Sequence, residues 1–100
     1  LIPQVHGDER RRPAYLHPAA ELMVGDVRDR AALRRALQGV QVVFHLAARV
    51  GVGQSMYEIA EYVSVNTAGT ALLLEELVQK RVERLVVASS MSIYGEGEYR

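Results

Sequence analysis

The residues best placed to meet a ligand lie where an apolar run gives way to hydroxyl side chains. Arg84-Leu85-Val86-Val87-Ala88 runs straight into Ser89-Ser90-Met91-Ser92, followed by Ile93-Tyr94-Gly95. In an open parallel α/β sheet, ligands bind outside the carboxyl ends of the strands, so a serine cluster at such a stop is placed to touch a substrate. The plainer reading of Ser89 and Ser90 is a strand-to-loop stop, because serine is common wherever backbone groups need local partners.

Three other patterns carry comparable chemistry. In Gly25-Asp26-Val27-Arg28-Asp29, each carboxylate accepts N–H donors strongly. Asp29 reads as the N-cap of the helix that follows, and capping is the plainer reading of Asp26 as well. In His45-Leu46-Ala47-Ala48, small residues at a strand's end let a ligand approach the backbone closely. His45 precedes that end inside an apolar run and reads as a packed, hydrogen-bonded histidine rather than a base. In Asn66-Thr67-Ala68-Gly69-Thr70, the Asn66 amide either reaches a ligand or ties the strand end to the helix, and both readings stand. A glycine inside a helix costs about 1 kcal/mol relative to alanine, so Gly69 marks close packing against a strand or the next helix.

The elements that must position these residues follow from periodicity. Residues 1–20 hold all three prolines and the run Arg10-Arg11-Arg12 without a regular period, which reads as a loop with a solvated basic run. A short strand is expected over 21–24 and a turn over 25–29. In the helix that follows, Ala32, Leu33, Ala36 and Leu37 recur on one face, Arg30, Arg34 and Arg35 face water, and Gly39 ends it. A strand over 41–46 comes next, then a glycine-bearing loop over 49–54 and a long helical region over 56–79. Ile59, Val63, Leu73, Leu77 and Val78 supply the buried stripe of that region, and Lys80 and Arg81 favour its C-terminus. A third strand spans 84–89. Strands alternating with helices, with no hairpin signals, imply right-handed crossovers and a parallel sheet.

Composition narrows the function classes. With 100 residues, the chain lies at the small end of single-domain size, and its first residue, Leu1, and its last, Arg100, read as cut from something longer. Twelve basic residues cancel twelve acidic ones, so no overall field favours nucleic acid or an anionic membrane. The absence of cysteine removes disulfides, thiolate chemistry and cysteine-based zinc sites, and fits a reducing cytoplasm. The longest apolar runs, such as 40–48, are broken by Gln41 and His45 and fall far short of a membrane span. No signal peptide opens the chain.

In order and spacing, the four patterns resemble the extended short-chain dehydrogenase/reductases of the NAD-dependent epimerase/dehydratase family, over about residues 21–94. The resemblance implies a Rossmann-like doubly wound parallel sheet, of which the chain holds three central strands and two crossover helices. Residues 1–100 would then be part of a single NAD(P)-binding Rossmann domain, with the glycine-rich phosphate loop before Leu1 and the substrate domain beyond Arg100.

It further implies that Asp26 hydrogen-bonds the adenine amino group while Val27 lies against the ring. Leu46, Ala47 and Ala48 would pass under the phosphates and ribose, and Asn66 would reach the ribose. Where Val50 aligns, some epimerases carry a cofactor-contacting lysine. Aligned on Tyr94-Gly95, the catalytic serine or threonine falls on Ser90, whose hydroxyl would bond the oxygen of the sugar carbon undergoing hydride transfer and steady its developing charge. Met91 and Ser92 would also face substrate. They stand where related dehydratases carry acids, which argues against a 4,6-dehydratase. The catalytic tyrosine belongs to a YxxxK motif, and no tyrosine here has lysine four positions on: Tyr57 meets Glu61, Tyr62 meets Asn66 and Tyr94 meets Glu98.

The implied activity is an NAD-dependent nucleotide-sugar epimerase working by transient oxidation at C4, with NADP as the alternative cofactor. Segments 50–59 and 91–97 are most similar to a bacterial subset of such 4-epimerases. The implied assembly is a cytoplasmic homodimer. A reductase or decarboxylase of the same superfamily shares these motifs, a dehydratase is a further alternative, and a non-catalytic dinucleotide-binding regulatory module would keep the fold without the tyrosine and lysine.

Overall fold

A computed structural model describes residues 13–95 of the chain; the Arg10-Arg11-Arg12 run and Glu98 lie outside them. Helix α1, Arg30–Ala36, starts as expected at Asp29, whose Oδ1 accepts from the amides of Ala31 at 2.8 Å and Ala32 at 3.1 Å. Leu37 caps its end, and Gly39 follows at φ 70°, a conformation most side chains avoid. Strand β1 is Val42–His45, and after the short helices α2, Val52–Ser55, and α3, Ile59–Tyr62, the chain enters a π-helical turn, Val63–Ala68. Helix α4, Gly69–Gln79, then leads to strand β2, Arg84–Val87, and a 3₁₀ turn, Met91–Tyr94.

The two strands pair in parallel with Val42 opposite Arg84 and His45 opposite Val87. A doubly wound sheet of order 3-2-1-4-5-6 puts its fourth and fifth strands side by side and pairs its third only with its second. β1 and β2 are neighbouring parallel strands joined by a helical crossover, as most consecutive strands of such a sheet are. The expected strand over 21–24 is corrected on the same ground: it forms no ladder among the described residues, so the sheet has two strands rather than three. Leu22, Met23 and Val24 have the apolar character of a strand but no neighbour to exchange backbone hydrogen bonds with, and they stay exposed.

The long helix expected over 56–79 is also corrected. Residues 52–54, expected in a loop, are helical together with Ser55, the helix breaks after Ser55, and the region from Ile59 onward changes from α to π and back. Leu73 is buried as expected and Leu77 half-buried, but Ile59, Val63 and Val78 are exposed.

Arg30 and Arg34 keep much of the exposure expected of them, at 42% and 59% of their side chains, and their guanidinium groups also reach α4. Arg30 Nη1 lies 2.9 Å and Arg34 Nε 2.8 Å from the two oxygens of Glu76, whose side chain is 3% exposed. Arg30 also pairs with Glu75, and Lys80 Nζ donates to the Arg34 carbonyl at 3.0 Å. Hydrogen bonds from Arg34, and next from Arg30, hold the Glu76 carboxyl below the usual carboxylate range against the opposing effect of burial. These ion pairs and the buried Leu37 and Leu73 fasten α1 to α4. No helix among the described residues is long and apolar enough to cross a membrane.

Candidate functional site

The turn at residues 25–28 is held from two sides. Asp26 Oδ1 accepts from the Arg28 amide at 2.8 Å and from Arg28 Nε at 2.9 Å, while Oδ2 accepts from Nη2 at 2.7 Å. Arg28 Nη1 in turn donates to Glu61 at 2.9 Å, on α3. The Arg28 side-chain hydrogen bonds lower the Asp26 carboxyl to about 2, so it is a pure acceptor at neutral pH. Val27 lies half-buried against Gly69, where an added Cβ would stand 2.7 Å from Val27 Cγ2. The close packing expected of Gly69 against a strand or the next helix is instead against the aspartate turn.

At the strand ends, His45 is buried and its Nε2 lies 2.9 Å from Thr70 Oγ1. The Thr70 hydroxyl gives its one proton to the Asn66 carbonyl at 2.6 Å, which makes His45 Nε2 the donor to Thr70. His45 is therefore a packed, hydrogen-bonded histidine, as its setting in the sequence indicated. Its carbonyl accepts from the Ala88 amide at 3.1 Å, so Leu46-Ala47-Ala48 and Ser89-Ser90 leave the sheet side by side. Leu46, Ala47 and Ala48 are exposed, the alanines presenting little beyond backbone.

Asn66 braces the loop after β1. Its Oδ1 accepts from the Arg49 amide at 2.7 Å and its Nδ2 donates to the Arg49 carbonyl at 3.1 Å, so of its two possible roles the bracing one is visible. Sequence reasoning missed the cluster around Arg49. The Arg49 guanidinium stacks 5.6 Å above the Tyr62 ring and pairs with Glu58, while its buried Nε has no hydrogen-bond partner. Tyr62 donates to the carbonyls of Val50 at 2.8 Å and Gly51 at 3.0 Å. Gly51 sits at φ 117°, which glycine alone adopts without strain. A basic residue next to a strand end was the available signal, but its partners lie nine and thirteen positions on, in no recognisable pattern.

Ser90 caps the 3₁₀ turn, its Oγ accepting from the Ser92 amide at 3.1 Å. Met91 is 85% exposed and Ser92 is exposed beside it, open to a ligand. Among the described residues, no hydrogen bond links this turn to the Asp26 or Asn66 clusters, and no group of three metal-ligating side chains forms.

A parallel strand pair joined through helices, with alanines and serines emerging together from its carboxyl end, is part of a Rossmann-like α/β fold. The chain belongs to the NAD dependent epimerase/dehydratase family, whose model matches residues 3–100. It is 39% identical to a dTDP-L-rhamnose 4-epimerase of Burkholderia thailandensis, over all of this chain and 28% of that protein. It is 33% identical to a UDP-glucose 4-epimerase of Yersinia enterocolitica over 89% of this chain and 25% of that protein. Among solved structures, a UDP-glucose 4-epimerase superposes on 84% of the chain with TM-score 0.78 at 31% identity, using 26% of its own length. A UDP-glucose 4-epimerase of Bifidobacterium longum in complex with NAD+ and UDP superposes on 71% of the chain and 22% of its own, with TM-score 0.67 and 33% identity. The chain thus spans about a quarter of the length of these relatives.

Proposed function

We propose that the protein to which this chain belongs is an NAD-dependent nucleotide-sugar 4-epimerase, an isomerase, and that residues 1–100 form part of its dinucleotide-binding domain. The observation that carries this reading is the shared exit of Leu46-Ala47-Ala48 and Ser89-Ser90 from one sheet edge, joined by the Ala88 amide and the His45 carbonyl. Small residues there admit a dinucleotide to the backbone, and a serine stands next to them for the reacting sugar. When bound, NAD supplies the acceptor and donor of hydride.

The chain's own residues hold and orient. Asp26 accepts the adenine amino group, with Val27 beside the ring, and Leu46, Ala47 and Ala48 lie along the phosphates and ribose. Asn66 serves the ribose mainly by fixing the Arg49 backbone. Ser90 bonds the C4 oxygen of the sugar, in a subsite that Met91 and Ser92 help to line. Proton removal falls to a tyrosine with a lysine four positions on, for which this chain has no match.

Relatives named for dTDP-L-rhamnose and UDP-glucose support a nucleotide-sugar substrate, and the likeness of segments 50–59 and 91–97 to dTDP-rhamnose 4-epimerases favours the former. The exposed apolar residues Ile59, Val63, Leu74 and Val78 along α3, the π turn and α4 support a homodimer, and a sequence without cysteine fits the cytoplasm. The test is to incubate the purified full-length protein, with bound NAD, with dTDP-L-rhamnose and UDP-glucose and to follow inversion at C4 by proton NMR. Inversion of either supports the reading. NAD retained without any turnover would move the protein to the class of non-catalytic dinucleotide-binding modules.

A further inference from the structure

Arg28 is engaged more fully than a surface arginine needs to be. Its amide, Nε and Nη2 all donate to Asp26, and its remaining arm donates to Glu61 on α3. All three charged side chains are about a third to a half exposed, where ion pairs add little to stability. The arrangement does something else well. A guanidinium is a rigid planar fork, and a fork fixed at both ends fixes the plane of the carboxylate it grips.

We propose that Arg28 is a positioning residue for nucleobase recognition, holding the Asp26 carboxylate in the one orientation that accepts an exocyclic amino group; this rests on the reading that Asp26 meets adenine. The bond count assigns the accepting atom. Oδ1 takes two donors, from the Arg28 amide and Nε, and is filled. Oδ2 takes one, from Nη2, and keeps a lone pair for the ligand. Glu61 holds the far side of the fork and ties this orientation to the helical segment that also bears Asn66. The role makes Arg28 a determinant of adenine over hypoxanthine, which presents an oxygen where adenine presents N–H and would meet the carboxylate lone pair to lone pair.

The experiment measures dissociation constants of NAD and of nicotinamide hypoxanthine dinucleotide for the full-length protein, carried as wild type, Asp26→Ala, Arg28→Ala and Arg28→Lys. Wild type prefers NAD, and Asp26→Ala abolishes the preference. Arg28→Ala weakens NAD about tenfold, as expected for one misplaced hydrogen bond to a charged group, and weakens the hypoxanthine dinucleotide less, so the ratio falls towards one. Arg28→Lys keeps the charge without the fork and gives an intermediate ratio, which serves if the alanine variant folds poorly. A preference that survives Asp26→Ala overturns the reading of Asp26 and the proposal with it. A preference lost in Asp26→Ala but kept at wild-type strength in both Arg28 variants overturns the proposal alone. Equal weakening of both dinucleotides in Arg28→Ala makes Arg28 merely structural, and tighter NAD binding makes it a competitor for Asp26; either result also overturns the proposal.

Discussion

Ser90 accepts the Ser92 amide on its oxygen, and a hydroxyl that accepts still has its proton to give. The bond fixes the oxygen and leaves the donor for a substrate oxygen on which charge develops. Ser90→Ala in the full-length protein should therefore lower kcat by about tenfold or more with NAD still bound, because such a donor acts mainly on the transition state. Steady-state kinetics together with the absorbance of released cofactor check this, and unchanged turnover removes Ser90 from the chemistry. Asp26 yields a prediction about acid. Its folded carboxyl is depressed to about 2 by Arg28, so its contribution to stability is complete above the ordinary carboxylate range and is lost as pH falls from about 4 to about 2. Denaturant unfolding of wild type and Asp26→Asn across that window should show the two converging as pH falls, by a small amount because the group is half exposed. Asp29, His45 and Gly69 were legible in the sequence, since a cap, a polar residue in an apolar strand and a helix glycine each announce a role by local setting, even though the partners of the last two, Thr70 and Val27, lie far along the chain. Arg49 was not, because its partners become neighbours only after the chain has turned back on itself.

Helix α1 and strands β1 and β2 follow the expected periodicity within one or two residues at their ends. Where expectation failed, the deciding contacts were long-range. Arg30 and Arg34 lie on the polar side of α1 by local spacing and stay open to water there, yet Glu76, more than forty positions on, pairs with both. A run that reads as a strand over 21–24 needs a ladder neighbour, which no local pattern supplies. The junction of Gly69 with Val27 gives the prediction for this scale. Gly69→Ala gains about 1 kcal/mol of helix propensity but drives its methyl into Val27, and overpacking of this kind costs about 1–3 kcal/mol. Net destabilisation of the full-length protein by about 1 kcal/mol is expected in denaturant unfolding, with Val27→Ala recovering most of it. Additive losses in the double variant would show that the two residues do not press on each other.

Leu37 and Leu73 are the buried apolar side chains of the described residues, while Phe44, Leu46, Val86 and Val87, in or beside the strands, are 43–67% exposed. A two-stranded sheet with both faces largely open is marginal in water. The 100-residue chain expressed alone should bind a hydrophobic dye and melt without a cooperative transition, and a sharp calorimetric peak would contradict this. The π turn Val63–Ala68 lies at the centre of what order there is. A π turn holds one more residue per hydrogen bond than an α turn, so everything after it is rotated by about 100° from where an unbroken α-helix would carry it. Glu61 and Tyr62 precede it; Gly69, Leu73 and Glu76 follow it. The segment is therefore keyed like a shaft with two cams set at different angles, one meeting Arg28 and the loop after β1, the other meeting Val27 and α1. Deleting a single residue from the turn would leave both sets of side chains present and put them out of phase.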